Sequence, residues 1–295
     1  MQKEKTIYVL GFFDGVHQGH QALINACLLL AEKTGFQPGA IAFTTHPDGV
    51  TSGKAPGLLN TIEDRNRLLL AHGIHSLLEF PFNAEVVTTP WEEFLEQLLR
   101  KGAAGFVCGL DFRFGKGGAG TAEKLAAFCE ERNIPYTVVP DLLVDNSRVS
   151  STHIRSLLAQ GNIAAVNRFL GHPHFITGTV VSGRGLGHTI GIPTANLSLP
   201  EELVMPKLGV YACKALVEDK TYLAVTNIGS RPTVGGHQVR AESWLLDFDG
   251  DLYGKHMTLQ FHAFLRPEQK FASLEELKAE IEKNAAETRK IFENT

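Results

Sequence analysis

Two histidines three residues apart, His17 and His20, close the run Gly11-Phe12-Phe13-Asp14-Gly15-Val16-His17-Gln18-Gly19-His20. The apolar residues Ile7–Leu10 before it read as a strand, and an apolar periodicity starting near His20 reads as a helix. Where a strand turns into a helix, free backbone N–H groups and the helix dipole point outward and favour anions. Gly11, Gly15 and Gly19 let the backbone come close to a phosphate. Imidazoles can donate hydrogen bonds to phosphate oxygens that gain charge during transfer. The segment, Phe12 and Asp14 included, therefore predicts a site that binds a nucleoside triphosphate and moves a phosphorus centre. An ordinary strand–helix turn with two incidental histidines is the plainer alternative for a motif this short.

A second set lies far downstream. Gly183-Arg184-Gly185-Leu186-Gly187-His188-Thr189-Ile190-Gly191 is a glycine-dense loop after a strand, followed directly by Ile192-Pro193-Thr194-Ala195-Asn196-Leu197. Backbone N–H groups around Gly183, Gly185, Gly187 and Gly191 can cradle phosphates. This is not a Walker A loop, because no Gly-Lys-Ser/Thr follows. Thr194 and Asn196 alternate with Ala195, so on an extended segment both face the same way. Two neutral oxygen ligands on one face can hold Mg²⁺ together with substrate phosphates. Glu242 precedes Trp244, Leu246 and Phe248 at alternate positions. A carboxylate continuing an apolar stripe is costly unless used or paired, which makes Glu242 a candidate general base toward a hydroxyl nucleophile. An edge carboxylate at a strand start is the alternative. Arg266, in Leu265-Arg266-Pro267-Glu268, reads equally as a ligand contact and as a surface charge.

Two further segments join the first set. Gly109-Leu110-Asp111-Phe112-Arg113-Phe114-Gly115 follows a strand and runs into Lys116-Gly117-Gly118-Ala119-Gly120. It reads either as a flexible surface loop or as a loop closing over a ligand through Asp111, Phe112 and Phe114. Ser151 or Thr152 makes a natural N-cap for a helix that carries Arg155 one turn inside. Hydroxyls, a helix N-terminus and a guanidinium make a good phosphate clamp.

These residues need elements to position them. Up to about residue 170 the chain alternates strands (6–10, 39–43, 76–80, 104–108, 136–139) with helices (20–33, 61–72, 90–101, 121–132). Gly35 is placed to cap the first helix, and Thr89-Pro90 with Glu92 to open the third. Such alternation predicts a parallel sheet with helices on both faces, whose ligands bind beyond the carboxyl ends of the strands. From residue 171 the texture changes to β-rich runs at 175–181, 209–217, 221–228, 240–248 and 256–264. These predict a small antiparallel barrel. An amphipathic helix opens at Ser273 with Glu276 as capping partner and carries Leu277, Ile281, Ala285 and Ile291 toward the barrel. The expected domains are 1–170 and 171–295.

The 295 residues are 43% hydrophobic and 20% charged, as in a globular protein. The part before residue 171 has 15 basic and 17 acidic residues and the remainder 13 and 15, so each carries −2. Neither has the basic balance of a nucleic-acid-binding domain. No apolar run approaches the roughly 18 residues of a membrane span, and the opening Met-Gln-Lys-Glu-Lys-Thr has no apolar signal segment. Cys27, Cys108, Cys129 and Cys213 are scattered and form no C-x-x-C pair, which suits buried free thiols in a reducing cytoplasm. Partners are therefore expected to be small molecules. The near-zero net charge argues neither for nor against self-association.

In order and spacing, GFFDGVHQGH, GLDFRFG, SSTHIR, GHTIGIPTANL, NIGSRPTV, ESWLLDFDGDLYGK and LRPEQKF resemble the prokaryotic bifunctional riboflavin kinase/FAD synthetase (FMN adenylyltransferase) family across nearly the whole chain. The resemblance implies an HxGH nucleotidyltransferase-like α/β domain followed by a six-stranded antiparallel barrel with a C-terminal helix. It implies phosphorylation of the riboflavin 5′-hydroxyl by ATP and Mg²⁺ to FMN, then adenylylation of FMN by a second ATP to FAD and pyrophosphate. Glu242 matches the kinase base, Thr194 and Asn196 the magnesium ligands, and His17 and His20 the triphosphate-contacting histidines. Ser151, Thr152 and Arg155 match the phosphate-binding triplet, and Asp111 with its aromatic neighbours the segment shaping the flavin site. Arg266 falls in the last of the matching segments and joins the flavin-binding set. The chain departs from the family pattern at Thr44-Thr45-His46-Pro47, where Asp/Glu-Pro-His-Pro is frequent. It departs again at His188 and Ile192, where Arg and Phe are frequent. Another nucleotidyltransferase, acting on a pantetheine or nicotinamide phosphate, fits the first set but not the second. A flavin- or nucleotide-sensing protein that touches RNA would need a basic face.

Overall fold

The computed structural model describes residues 5–46, 49–50, 53, 55–183, 191–233 and 236–293, with side chains described outside 231–238. The chain divides into two compact units, Met1–Ser151 and Thr152–Thr295.

The first unit alternates β1 (Thr6–Gly11), α1 (Gln18–Thr34), β2 (Gln37–Phe43), α2 (Ile62–Ala71) and β3 (Ser76–Phe80). There follow α3 (Ala84–Thr88), α4 (Trp91–Arg100), β4 (Ala103–Gly109), α5 (Ala122–Glu131), β5 (Tyr136–Val139) and a short antiparallel hairpin of β6 (Leu143–Val144) and β7 (Ser147–Arg148). The sheet order is β3-β2-β1-β4-β5, every pair parallel. Its strands are apolar on both faces because both faces are covered. Tyr8, Leu10, Ile41, Phe43 and Phe106 pack with Phe94, Leu95 and Leu98 of α4 and with Leu125 of α5. The alternate residues Ile7, Val9, Ala40, Ala42 and Val107 pack with Ile24 and Cys27 of α1 and with Leu69 of α2. Strand order reverses between β1 and β4, so the crevice of this sheet opens beyond Gly11 and Gly109. Gly35 caps α1 at φ 70°. The cap expected of Thr89 is not made. Thr89 instead ends α3, its Oγ1 donating to Glu85 O at 2.8 Å, and Pro90 occupies the N-cap of α4 with no side-chain bond. The preceding helix competes for the same residue and wins it.

The second unit takes in α6 (Ser151–Gln160, from Thr152 on) and α7 (Ile163–Leu170) together with the barrel. Asn167 explains part of this grouping: its Nδ2 donates to Phe261 O at 2.8 Å and its Oδ1 accepts His174 N–H at 2.8 Å. The units thus part some twenty residues before the change of sequence texture at 170/171, because α6 and α7 count with the barrel. The barrel strands are β8 (His174–Val181), β9 (Ala195–Ser198), β10 (Gly209–Val217), β11 (Lys220–Thr233), β12 (Gly236–Leu245) and β13 (His256–Arg266). They close in the order β10-β11-β12-β9-β8-β13. β9 is too short and too polar to register as a β-rich run. Along β12, Ala241, Ser243 and Leu245 are buried, whereas Glu242 is exposed and Trp244 half-buried. Ser243 meets Thr226 inside the barrel, hydroxyl to hydroxyl at 2.8 Å. On the outer face Val210, Val225 and Leu246 pack against Ala285 of the terminal helix α8 (Leu274–Glu293). Ser273 Oγ accepts Glu276 N–H at 3.2 Å, and the Glu276 carboxylate takes Ala272 N–H at 3.0 Å.

Candidate active sites

A cavity of about 680 Å³ lies in the first unit where β1 and β4 end. The turn after β1 is left-handed at two non-glycine residues, Phe13 (φ 59°) and Val16 (φ 39°). It delivers His17 as the N-cap of α1, with its Nδ1 accepting the His20 N–H at 3.2 Å. That bond uses the Nδ1 lone pair, so the proton of neutral His17 sits on Nε2. The two rings stack, centroids 3.6 Å apart. Burial first, then His17, then Arg65, hold His20 well below the ordinary imidazole value of 6.5. At neutral pH, then, His20 acts through hydrogen bonds rather than as a fixed charge. Gly19 packs close against this pair: a Cβ there would come to 3.2 Å from the His17 ring.

Gly11, Phe12, Gly19, Asp111, Phe112, Phe114 and Ser151 all line this cavity with the histidines. Asp14 and Gly15 do not. The Asp14 carboxylate is buried and accepts Leu59 N–H at 2.8 Å, and Gly15 supplies a φ of 80°, so both shape the turn. Ser151 Oγ donates to Asp14 O at 2.9 Å, which joins the last residue of this unit to the same turn. Thr152 and Arg155 follow on α6, in the second unit. Asp111 does not face the cavity alone. Arg148 holds its carboxylate and that of Asp141, the latter at 3.0 Å. Hydrogen bonding to Asp111 pushes the Arg148 guanidinium above its ordinary value. Phe112 and Phe114 stack beside this pair, centroids 5.6 Å apart. Sequence reasoning missed Arg148; its only signal was a lone arginine two residues before Ser150. The departing segment at Thr44–His46 brings His46 edge-on to Phe12, centroids 4.7 Å apart. Pro47 lies outside the described residues.

The second set assembles on the outer face of the barrel. Strand register lines up Val181, Asn196, Glu242, Asn227, Val210 and Arg266 across β8, β9, β12, β11, β10 and β13. Opposed residues of antiparallel strands share a face, so Glu242 stands between two asparagine amides. A cavity of about 260 Å³ lies under α8, lined by Thr194, Asn227, Glu242, Trp244 and Arg266, with Ile192 in its wall. A second of about 200 Å³ runs from Thr194 to Phe248, Asp251 and Tyr253. Thr194 therefore borders both. Asn196 is buried, and its Oδ1 has no hydrogen-bond partner among the described residues. Asn196 lines neither cavity, but an orphaned amide oxygen two residues from a threonine that lines both has the donor chemistry of a hard-cation site. Among the described residues no group of three His, Cys, Asp or Glu could hold a metal, so such an ion would lean on these neutral oxygens and on phosphate.

Arg266 is more than a surface charge. Only 15% of its side chain is exposed; Nε donates to Asn284 Oδ1 at 3.1 Å and pairs with Glu280 at 3.3 Å. It ties the barrel to α8 while forming part of the cavity wall. Gly183 and Gly191 flank the glycine loop at its described ends, and Gly183 backs onto the Asn196 amide with no room for a Cβ. Gly185 and Gly187, with Arg184 and His188 to Ile190, lie outside the described residues. All four cysteines are free and buried.

The family model described as FAD synthetase matches residues 1–153, and that described as riboflavin kinase matches residues 170–292. Curated relatives named bifunctional riboflavin kinase/FMN adenylyltransferase include those of Listeria monocytogenes and Escherichia coli K12. The first is 34% identical over 97% of this chain and 92% of its own length. The second is 36% identical over 98% and 94%. A Streptococcus pneumoniae protein, whose crystal structure is described as that of a macrolide-efflux protein, has the same fold with a TM-score of 0.90. It is 29% identical and matches over 98% of this chain and 95% of that one. In this chain no described helix is long and apolar enough to cross a membrane.

Proposed function

The chain belongs to the family of bifunctional riboflavin kinase/FMN adenylyltransferases, and from that premise we propose which residues run each of its two reactions. The observation that carries the assignment is the separation of the two chemical sets into two cavities, the histidine pair in one and Glu242 with Thr194 in the other.

In the kinase reaction the 5′-hydroxyl of riboflavin attacks the γ-phosphorus of ATP and ADP leaves. A neutral alcohol must shed its proton, and Glu242 is the only carboxylate in the row that crosses the outer barrel face. Riboflavin lies in the cavity beneath α8, against Trp244 and Arg266, and ATP in the neighbouring cavity, so that the transferred phosphoryl group passes beside Thr194. Thr194 Oγ1 and Asn196 Oδ1 would hold Mg²⁺, which offsets phosphate charge and orients the triphosphate when bound. Gly183 and Gly191, at the described ends of the glycine loop, are the positions from which backbone N–H groups would cradle the phosphates.

In the adenylyl transfer an oxygen of the FMN phosphate attacks the α-phosphorus of a second ATP, and pyrophosphate leaves. The nucleophile is already an anion and needs no strong base. Positioning and charge stabilisation carry the step. His17 presents Nε2–H and His20 its neutral ring to the triphosphate at the start of α1. Ser151, Thr152 and Arg155 take phosphate oxygens, and Phe112 and Phe114 take the flavin ring beside Asp111. The two activities are assigned to 1–170 and 171–295. The buried free thiols suit a reducing cytoplasm.

Chromatography of products tests this directly. The wild type should convert riboflavin to FMN and then FAD, with ATP and Mg²⁺. Glu242→Ala should stop FMN formation yet still make FAD from supplied FMN, and His17→Ala should do the reverse. Parallel loss of both products in both variants would refute the assignment.

A further inference from the structure

Arg65 lies in a charge run, Glu63-Asp64-Arg65-Asn66-Arg67, that reads as a solvated helix face, yet it is the largest fully buried side chain among the described residues. Arg67, two residues on, keeps 58% of its side chain in solvent and pairs with Glu63 and Asp64. Removing a guanidinium from water is costly unless strong partners compensate. The partners of Arg65 are neutral oxygens. Its NH1 donates to Phe43 O at 2.7 Å and to Phe12 O at 3.1 Å. Its Nε and NH2 donate to Asn66 Oδ1 at 3.3 and 3.1 Å, and Asn66 donates in turn to Glu79 at 2.6 Å.

The two carbonyls occupy a decisive place. Phe43 ends β2, and Phe12 directly follows β1, its hydrogen-bonded neighbour. One nitrogen thus pins the ends of two adjacent strands at the edge where the cavity opens. Phe12 O is also the peptide oxygen just ahead of Phe13, the first left-handed residue of the turn that carries His17 and His20. Non-glycine residues hold such a conformation only where their surroundings over-determine it. Arg65 itself lines no part of the cavity.

We infer that Arg65 is a positioning residue for adenylyl transfer, clamping the Phe12 and Phe43 carbonyls from behind so that the left-handed turn presents His17 and His20 in one fixed arrangement. This rests on reading that cavity as the adenylyl-transfer site. The charge of Arg65 acts on His20 as well. Burial pulls the guanidinium down to about 10, against the pull of Glu79 and Asp14, so it stays protonated at neutral pH. The groups acting on His20 are His17 on its own turn and Arg65 on α2, both lowering its proton affinity along with burial.

The test measures FAD formation from FMN and riboflavin phosphorylation in the same full-length preparations of Arg65→Gln, Arg65→Lys and Asn66→Ala. Arg65→Gln should lower kcat for FAD formation about 10²-fold, the cost of misplacing reacting groups by about an ångström. The KM for ATP should move far less, and the kinase rate should not move. Lysine should restore part of kcat, since it reaches a carbonyl but lacks the planar fork. Asn66→Ala, which keeps the charge and threatens folding least, should show the smallest loss. Without the cation, His20 binds its proton more readily, so the acid limb of the kcat profile should shift to higher pH in Arg65→Gln and stay in place in Asn66→Ala. Unchanged kcat and pH profile in Arg65→Gln, beside an active wild type, would overturn this inference alone. So would a fall in FAD formation that only tracks a lost thermal midpoint. A wild type that makes FMN but no FAD from supplied FMN would overturn the site reading and this inference together.

Discussion

In the first unit the groups that face the cavity hang on turns beyond the strand ends, whereas in the second they stand on the strands themselves. His17 and His20 owe their placement to an N-cap, two left-handed residues and a buried arginine. Glu242, Asn196 and Asn227 owe theirs to strand register, since one residue of slip would turn all three to the inside of the barrel. The difference follows the chemistry. Transfer to a phosphate anion asks for fixed donors and a positive surround, which backbone turns and helix starts supply. Transfer to an alcohol, on the assignment proposed above, asks for a base held at a fixed point on one face, and strand register in a closed barrel can fix such a point.

The largest effect that can break this contrast is at Glu242. Replacement by glutamine keeps the register and the shape but removes the carboxylate proposed as the base. General-base catalysis is worth about 10² to 10⁴-fold, so kcat for FMN formation should fall by that range while FAD formation from FMN is untouched. A fall below tenfold would mean that the alcohol is deprotonated elsewhere, and the barrel site would then resemble the histidine site in working by position alone. The mirror experiment is Gly19→Ala. The added methyl would press on the His17 ring at 3.2 Å and move it off its stack. A loss of about 10²-fold in FAD formation is expected, with the kinase unaffected. Retention of full activity would show that the imidazole has room to give.

Much of this contrast was legible in the sequence, and the exceptions have physical causes. Short apolar runs and the strand–helix alternation located the five parallel strands, and the segment from Gly11 to His20 supplies part of the lining of the first cavity. Asp14 and Arg65 were not legible, because burial of a charge depends on what covers it. Nothing in Glu63-Asp64-Arg65-Asn66-Arg67 distinguishes the arginine that bonds two strand ends from the one that stays in solvent. Asp14 sits inside a phosphate-like motif and still spends its carboxylate on Leu59 N–H, a partner 45 residues away. Thr89 failed as a predicted cap because a local signal cannot show that a neighbouring helix uses the same residue. β9 is only four residues long, Ala-Asn-Leu-Ser, and becomes a strand through its pairing with β8 and β12.

Under acid the contrast narrows, because each unit holds a histidine that burial pulls below its ordinary value, His20 in the first and His174 in the barrel. His174 is 1% exposed, its ring stacks on Phe261 and its Nε2 has no hydrogen-bond partner among the described residues. Burial, then His172, pull its pKa from 6.5 to about 3. The folded state therefore keeps His174 neutral while the unfolded chain protonates it below pH 6.5. Its contribution is intact above that pH and is lost as the pH falls toward 3. At pH 5 the single group should cost about 2 kcal/mol of stability. His174→Gln should shrink the difference in unfolding free energy between pH 7 and pH 5 by that amount, whatever it does to stability at pH 7. An unchanged difference would mean that His174 titrates normally.

The smallest effect concerns the roof of the kinase cavity. Arg289 on α8 grips Asp247, just after β12, through two bonds of 2.7 and 2.8 Å. Asp247 holds its left-handed φ of 58° at the point where the strand releases the chain. The geometry is bidentate, but both side chains are largely in solvent, 73% and 44% exposed, so the pair is open to screening. The deeper tie between barrel and helix is Arg266 with Asn284 and Glu280. Asp247→Asn should therefore raise the KM for riboflavin no more than about threefold, and the gap to wild type should close at high salt. Arg266→Met should raise KM more, with no relief from salt, because it removes a largely buried strut and a piece of the cavity wall at once. If the ranking were reversed, α8 would be held over the flavin by surface charge rather than by its buried face. The second cavity would then depend on a loose clamp much as the first depends on its turn.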